Sequence, residues 1–152
     1  MKRPVVLLTG ATGYIGSHTW LCLAAAGFQV VGVDNFVNSS PRVLDRLQAL
    51  LGTQPAFERA DVCDTSAMLA IAQRHRVDAA IHFAALKAVG ESMQRPLAYY
   101  RNNLGGVLAT CEALGSAGAK RFVFSSSATV YGQPKSLPIT EDAPLAATNP
   151  YG

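Results

Sequence analysis

The stretch Val5-Val6-Leu7-Leu8-Thr9-Gly10-Ala11-Thr12-Gly13-Tyr14-Ile15-Gly16 decides the fold. An apolar run enters it, three evenly spaced glycines follow, and a helix-compatible segment leaves it. Continuous Val/Leu runs mark strands buried on both faces, so residues 5–8 read as the first strand of a parallel α/β sheet. Gly10 then makes the tight turn, and Gly13 admits a phosphate close to the backbone. Gly16, having no Cβ, lets the following helix pack on the strand. Such a turn presents free N–H groups at a helix N-terminus, where the macrodipole favours a pyrophosphate. The spacing is G-x-x-G-x-x-G rather than the commoner G-x-G-x-x-G, and glycines in a turn can be turn chemistry alone. The strand before, the helix after and an acid downstream favour binding over that plainer reading.

The acid is Asp34. It closes the apolar run Gln29-Val30-Val31-Gly32-Val33-Asp34, a second buried strand, and lies eighteen residues past Gly16. That is close to the spacing of a carboxylate that accepts hydrogen bonds from an adenine-side ribose. An Asp at a strand end can equally cap or turn the chain; the upstream glycines favour the ribose. No Arg follows directly to pair with a 2′-phosphate, so NAD is favoured over NADP.

The remaining pattern alternates strands and helices. Residues 15–26 are good helix formers, with Gly27 placed as a stop. Pro41 suits the first turn of a helix reaching Leu51, with Val43, Leu44, Leu47, Leu50 and Leu51 as its packing face. Residues 56–59 form a short third strand, and Asp64 or Thr65 caps a helix that turns Met68, Leu69 and Ile71 or Ala72 inward. A fourth strand spans 78–83, with His82 read as a satisfied core histidine. Pro96 opens a long helix through Ala113, where Gly105-Gly106 implies close packing against the backbone. A fifth strand, 121–127, ends in hydroxyls, and the proline-rich 133–150 is a loop. Right-handed crossovers between these strands predict a Rossmann-like, doubly wound parallel sheet ordered 3-2-1-4-5. Its carboxyl edge gathers the glycine turn, Asp34, Lys87 and Ser125 to Ser127 in one crevice.

Composition excludes several classes. With 152 residues, 49% hydrophobic and 15% charged, the chain has the make-up of one folded domain rather than of a disordered segment. A net charge of +3 from scattered basic residues gives no support to nucleic-acid binding. Met1-Lys2-Arg3 before the first apolar run imitates the head of a secretory signal, but that run is short and enters the glycine turn directly. No apolar run reaches membrane-spanning length. Cys22, Cys63 and Cys111 are distant from one another and read as buried free thiols of a reducing cytoplasm, with no metal site.

Three longer stretches carry a more specific resemblance. They are His82-Phe83-Ala84-Ala85-Leu86-Lys87-Ala88-Val89-Gly90-Glu91-Ser92, Tyr99-Tyr100-Arg101-Asn102-Asn103 and Ser125-Ser126-Ser127-Ala128-Thr129-Val130-Tyr131-Gly132. With the glycine turn and Asp34-Asn35, they resemble the extended short-chain dehydrogenases/reductases, and within them the UDP-glucose 4-epimerases, over the N-terminal part of that family. The resemblance implies that Tyr14 and Ile15 touch the pyrophosphate of NAD. Asp34, Asn35, Phe36, Asn38 and Ser39 surround the adenosine, and Asp61 and Val62 border the adenine. Phe83, Ala84, Ala85 and Lys87 line the middle of the cofactor, with Asn102 and Ser125 beside it. Ser127, Thr129 and Lys87 meet the sugar, and Tyr151 matches the catalytic tyrosine. Ala85 departs from the glycine found in many members, adding a methyl beside the cofactor.

The implied activity is interconversion of UDP-glucose and UDP-galactose by transient oxidation at sugar C4. Inverting C4 requires a base for its hydroxyl proton while the hydride leaves to the nicotinamide and returns on the other face. Any tyrosine with the ordinary pKa of about 10 is only about a thousandth ionised at pH 7. In the family, the oxidised nicotinamide and a lysine four residues past the tyrosine supply the missing help. Here the sequence stops one residue past Tyr151, so residues 1–152 are expected to be an incomplete NAD-binding domain without its substrate region. The expectations are a fragment or interrupted reading frame, weak NAD binding, no epimerase activity alone, and a homodimer in the full-length form. The alternatives are another NAD-dependent sugar-nucleotide enzyme (a 4,6-dehydratase, decarboxylase or other epimerase) and a non-catalytic NAD-binding module.

Overall fold

Five parallel strands in the order β3-β2-β1-β4-β5 form the spine of the computed structural model, which describes residues 3–152. Met1 and Lys2, at the head of the signal-like stretch, lie outside the described residues. In chain order the elements are β1 (Val5–Thr9), α1 (Tyr14–Ala25), β2 (Gln29–Asp34), α2 (Arg42–Leu51), β3 (Ala56–Arg59) and α3 (Thr65–His75). After these come β4 (Ala79–His82), α4 (Val89–Gln94), α5 (Pro96–Ser116), β5 (Arg121–Phe124) and a 3-10 turn, Ala128–Tyr131. The predicted strand order and parallel sense are both observed.

β1 is the central strand, buried at all five positions and paired on both edges, which is why it reads as an unbroken apolar run. Alternate residues face opposite layers. Val5 and Leu7 join Val31, Val33, Met68, Ile71, Ala72, Ala113 and Leu114 beneath α3 and α5. Leu8 joins Ala11, Trp20, Val30 and Leu47 beneath α1 and α2. The second layer is closed by a residue pair that the sequence did not single out. Gly32 on β2 lies under the Trp20 indole, where a Cβ would collide with the ring.

Helix ends follow their local chemistry. The Asp64 carboxylate accepts from Ala67 N at 3.0 Å and caps α3. Pro96 opens α5, which extends three residues beyond the expected end at Ala113 and stops just before Gly118 at φ +72. The expected close packing at Gly105-Gly106 is present: a Cβ on Gly106 would stand 2.8 Å from Val62 Cγ2, and one on Gly105 3.5 Å from Cys63 Sγ. Residues 133–150 contain no helix or strand.

Three expectations are corrected. The fifth strand ends at Phe124, since Ser127 turns the chain by accepting from Thr129 N. Leu50 is 70% exposed, because the inner face of α2 is set by Val43, Leu44, Leu47 and Leu51. Cys22, Cys63 and Cys111 are free but exposed rather than buried: Cys22 and Cys111 fall on outward-facing positions of α1 and α5, and Cys63 lies in the 60–64 loop with its Sγ against the backbone of α5. No helix among the described residues is long and apolar enough to cross a membrane.

Trp20 is 2% exposed and fills the space left by Gly32. Trp20→Ala should therefore lower unfolding free energy by about 3–5 kcal/mol, as truncation of a buried large aromatic does. Urea unfolding followed by circular dichroism measures it, and a loss under about 1 kcal/mol would contradict this packing.

Candidate functional site

The carboxyl ends of β1, β2, β4 and β5 open onto one side of the sheet, and the sequence places its chemistry there. Gly10 leaves β1 at φ +64. A Cβ at that position would meet Ala84 N at 2.8 Å and Phe83 C at 2.9 Å, so the β1–α1 turn touches the backbone beyond β4. At Gly16 a Cβ would run into the Gly10 carbonyl, which ties the first turn of α1 to the strand exit. Gly13 is the N-cap of α1 and offers no side chain, and the first helical turn carries no acid. That end of the helix is therefore electropositive and uncapped, as a pyrophosphate site requires. Tyr14 is 81% exposed, edge-on to His18, and Ile15 is half exposed beside the same turn.

Asp34, at the end of β2, is buried and directs the loop that follows. Its carboxylate accepts from Thr12 N at 3.1 Å, Phe36 N at 2.9 Å and Ser39 Oγ at 3.0 Å. Ser39 Oγ also lies 2.8 Å from Thr12 Oγ1. Asp34 thus both fixes the loop and presents a carboxylate beside the glycine turn, so its capping and binding readings coexist. Phe36 takes φ +64, its ring tilted against Phe57 at 5.2 Å, with the Arg59 guanidinium over it at 5.6 Å. Asn35 donates to Asp61 at 3.1 Å, and Asn38 donates to Ala85 O at 3.3 Å, which bridges two loops across the Gly10 turn. Val62 is buried against Gly106, with its neighbour Asp61 exposed.

One small cavity joins Gly10, Asp34, Asn35, Asn38, Val62, Ala84, Ala85 and Asn102. A second joins Gly10, Gly13, Ile15, Gly16, Asp34, Asn38, Phe83, Ala84, Ala85 and Lys87. A third, of about 840 Å³, brings Phe83 to Ala85 together with Ser125, Ser127 and Tyr151. Ser127 Oγ lies 2.8 Å from Thr129 Oγ1, so these two hydroxyls form one pair. Asn149 Oδ1 accepts from the backbone N–H groups of Tyr151 and Gly152, at 3.1 and 3.0 Å, and turns the chain end toward this cavity. Most of the sequence-selected residues are thus distributed among three adjoining cavities that share Ala84 and Ala85. The exceptions are Tyr14, Phe36, Ser39, Asp61 and Thr129, which flank those cavities through the contacts just described.

Two features escaped the sequence reading. The first is a pair of side chains on α5, Tyr99 and Asn103, which grip the backbone of residues 86–88. Burial and the acceptor carboxylate of Glu91 hold the Tyr99 phenol above its ordinary pKa. The second is the state of His82. Its Nδ1 lies 2.9 Å from Thr9 Oγ1 and 3.3 Å from Thr110 Oγ1, but its Nε2 has no partner, so the histidine is only half satisfied. Thr110 commits its own proton to Gly106 O at 2.7 Å. That favours a neutral ring donating from Nδ1, with Nε2 a bare acceptor, a tautomer assigned from the hydrogen-bond network. Phe122 and Phe124 flank the ring, and burial pushes its pKa down to about 4. Among the described residues, no group of three His, Cys, Asp or Glu side chains is placed to hold a metal.

A parallel sheet ordered 3-2-1-4-5, with a glycine turn at the exit of its central strand and an acid ending the next strand, defines a Rossmann-type α/β domain. The chain belongs to the NAD-dependent epimerase/dehydratase family, whose model matches residues 6–152. It is 51% identical to a UDP-glucose 4-epimerase of Bacillus subtilis over 97% of this chain and 43% of the relative. It is 50% identical to UDP-glucose 4-epimerase 2 of Arabidopsis thaliana, again over 97% and 43%. Among solved structures, the Stenotrophomonas maltophila UDP-glucose 4-epimerase, with bound NAD and formylated UDP-arabinopyranose, superposes with a TM-score of 0.92. The two chains are 45% identical over 99% of this chain and 44% of that one. The Bifidobacterium longum UDP-glucose 4-epimerase, in complex with NAD+ and UDP, matches with a TM-score of 0.92 at 44% identity over 97% and 44%. The chain therefore spans under half the length of the relatives it matches.

A buried histidine that stays neutral links stability to pH. The unfolded chain binds a proton at His82 near 6.5 and the folded chain only near 4, so the contribution is complete above about 6.5 and is lost as pH falls toward 4. At roughly 1.4 kcal/mol per tenfold, the loss approaches about 3 kcal/mol. Urea unfolding at pH 7, 5.5 and 4.5 should show this decline, flattened in His82→Phe. An equal decline in both chains would rule out His82 as its source.

Proposed function

We propose that this chain binds NAD and is the cofactor-binding part of an enzyme that interconverts UDP-glucose and UDP-galactose. The observation that carries the reading is convergence: the uncapped start of α1, the Asp34 carboxylate, and the cavity holding Ser127 and Tyr151 lie side by side at one sheet edge. Bound NAD would supply the oxidation and re-reduction of sugar C4. Gly10, Gly13, Tyr14, Ile15 and Gly16 receive the pyrophosphate. Asp34 accepts from the ribose, enclosed by Asn35, Phe36, Asn38 and Ser39. Asp61 and Val62 border the adenine, while Phe83, Ala84, Ala85, Lys87, Asn102 and Ser125 line the rest of the cofactor.

The serine–threonine pair Ser127 and Thr129 orients the sugar hydroxyl, with Lys87 beside it, and Tyr151 moves the proton at the C4 oxygen. Substrate retention by the UDP moiety is assigned to parts of the enzyme outside these 152 residues. Assembly is proposed as a homodimer of the full-length enzyme, supported by Leu97, Leu104 and Leu108, which are exposed along α5. A cytoplasmic setting fits the three free cysteines. A 4,6-dehydratase is not favoured, since Ala128 and Thr129 stand where an acid would be needed.

Calorimetric titration should show saturable NAD binding and none of NADP, whose 2′-phosphate would meet the Asp34 carboxylate. Asp34→Asn should weaken NAD by about tenfold, the worth of a charge-assisted hydrogen bond. Preference for NADP would overturn the ribose assignment. The 152-residue chain alone, which spans under half the length of the epimerases it matches, is expected to leave UDP-galactose unchanged. Turnover at about 1 per second or faster, an ordinary enzyme rate, would refute that expectation.

A further inference from the structure

α4 and α5 do more than cover the sheet. Tyr99 and Asn103 are four residues apart on α5 and so lie on one helix face. Asn103 Nδ2 donates to Leu86 O at 2.9 Å, and its Oδ1 accepts from Leu86 N at 2.9 Å, so both backbone groups of Leu86 are held by one side chain. Tyr99, 1% exposed, accepts from Ala88 N at 3.1 Å through its hydroxyl and donates to Glu91 Oε2 at 2.8 Å. Glu91 is steadied in turn by Arg95 at 3.2 Å. Lys87 is the residue between the two grips. Its side chain is exposed and lines the cavity formed by Gly10, Gly13, Gly16, Asp34 and Asn38. Asn103 Oδ1 also accepts from Asn102 Nδ2 at 2.9 Å, so one amide links the loop to a second cavity-lining residue.

We infer that Tyr99 and Asn103 are positioning residues that bracket Lys87 and fix its root beside the glycine turn, and so set the affinity for the anionic part of the cofactor without touching it. The inference rests on the NAD-binding reading above. A loop that follows a strand normally wanders, and ordering a flexible lysine on a wandering backbone costs entropy at binding. Here the backbone on both sides of the lysine is fixed before any ligand arrives. The Asn103 amide satisfies a donor and an acceptor of the same residue, and its orientation is dictated by that pairing.

The test is NAD titration of the 152-residue chain and four variants, with thermal melting as a control. Asn103→Ala and Tyr99→Phe should each weaken NAD about five- to tenfold, the range for a lost hydrogen bond that orders a binding group. In a Lys87→Ala background, adding Tyr99→Phe should change affinity less than about twofold, since a bracket with nothing to hold has no effect; a residue acting only on overall stability would not show this coupling. Tyr99→Phe removes one oxygen and keeps the packed ring, so it decides the matter if Asn103→Ala does not fold. Unchanged affinity in Tyr99→Phe, or a Tyr99→Phe loss that persists without Lys87, overturns the bracket while NAD binding by the parent chain stands. Flat titrations in all chains, the parent included, overturn the functional reading and this inference with it.

Discussion

Backbone-to-backbone approach at Gly10 is the constraint on which the rest of this structure depends. The turn leaving β1 presses against the chain leaving β4 so closely that a single methyl at Gly10 would collide with Phe83 and Ala84. Around that contact the neighbouring groups interlock: Phe83 N donates to Thr9 O at 3.2 Å, and Ala84 N donates to Thr9 Oγ1 at 3.3 Å. The same threonine hydroxyl meets His82. Closing this seam brings the residues of two crossover units to a common edge, and from there Asp34 locks its loop onto the turn while Asn38 ties the same loop to Ala85 beyond β4. The cavities exist because these loops are held apart by short polar contacts rather than filled by side chains.

Polar economy explains how so many loops are held. The Asp34 carboxylate receives two backbone donors and one hydroxyl, and so replaces the strand pairing that ends at β2. Asp61 does the same after β3, accepting from Cys63 N at 2.9 Å and from Asn35 at 3.1 Å. Asn103 and Tyr99 serve the loop after β4. The loops after β2, β3 and β4 are thus each organised by polar side chains, supplied locally by Asp34 and Asp61 and from α5 by Tyr99 and Asn103, which is how buried backbone groups avoid going unpaired where the ladder stops.

The fold was legible in the sequence because its signals are local and repeated. Apolar runs marked the first two strands and the glycine spacing marked the turn, and the alternation of strands with helices, joined by right-handed crossovers, was enough for the strand order. Legibility failed where partners are distant in sequence. Cys22 and Cys111 are hydrophobic by type, but the fold turns them outward, and nothing near them reveals which way a helix faces. Leu50 completes an apolar pattern on α2, yet four other residues already fill the inner face. The clamp of Tyr99 and Asn103 on residues 86–88 was hidden because an Asn or Tyr in a helix shows no preference for a loop ten or more residues upstream. Gly32 resembles a weak point in a strand until Trp20 is placed over it.

The strand order also has a temporal consequence. β1 pairs with β2, and β2 with β3, among residues no later than Arg59, so one flank of the sheet has all its strands early in synthesis. The other flank begins only with β4, whose preceding residue Asp78 returns across 73 positions to hold Val5 N. Until Ala79 has been made, one edge of the central strand has no native partner, although both faces of β1 are apolar. A nascent chain of this topology carries an open, hydrophobic strand edge until β4 has been made, and the seam at Gly10 is where that exposure ends.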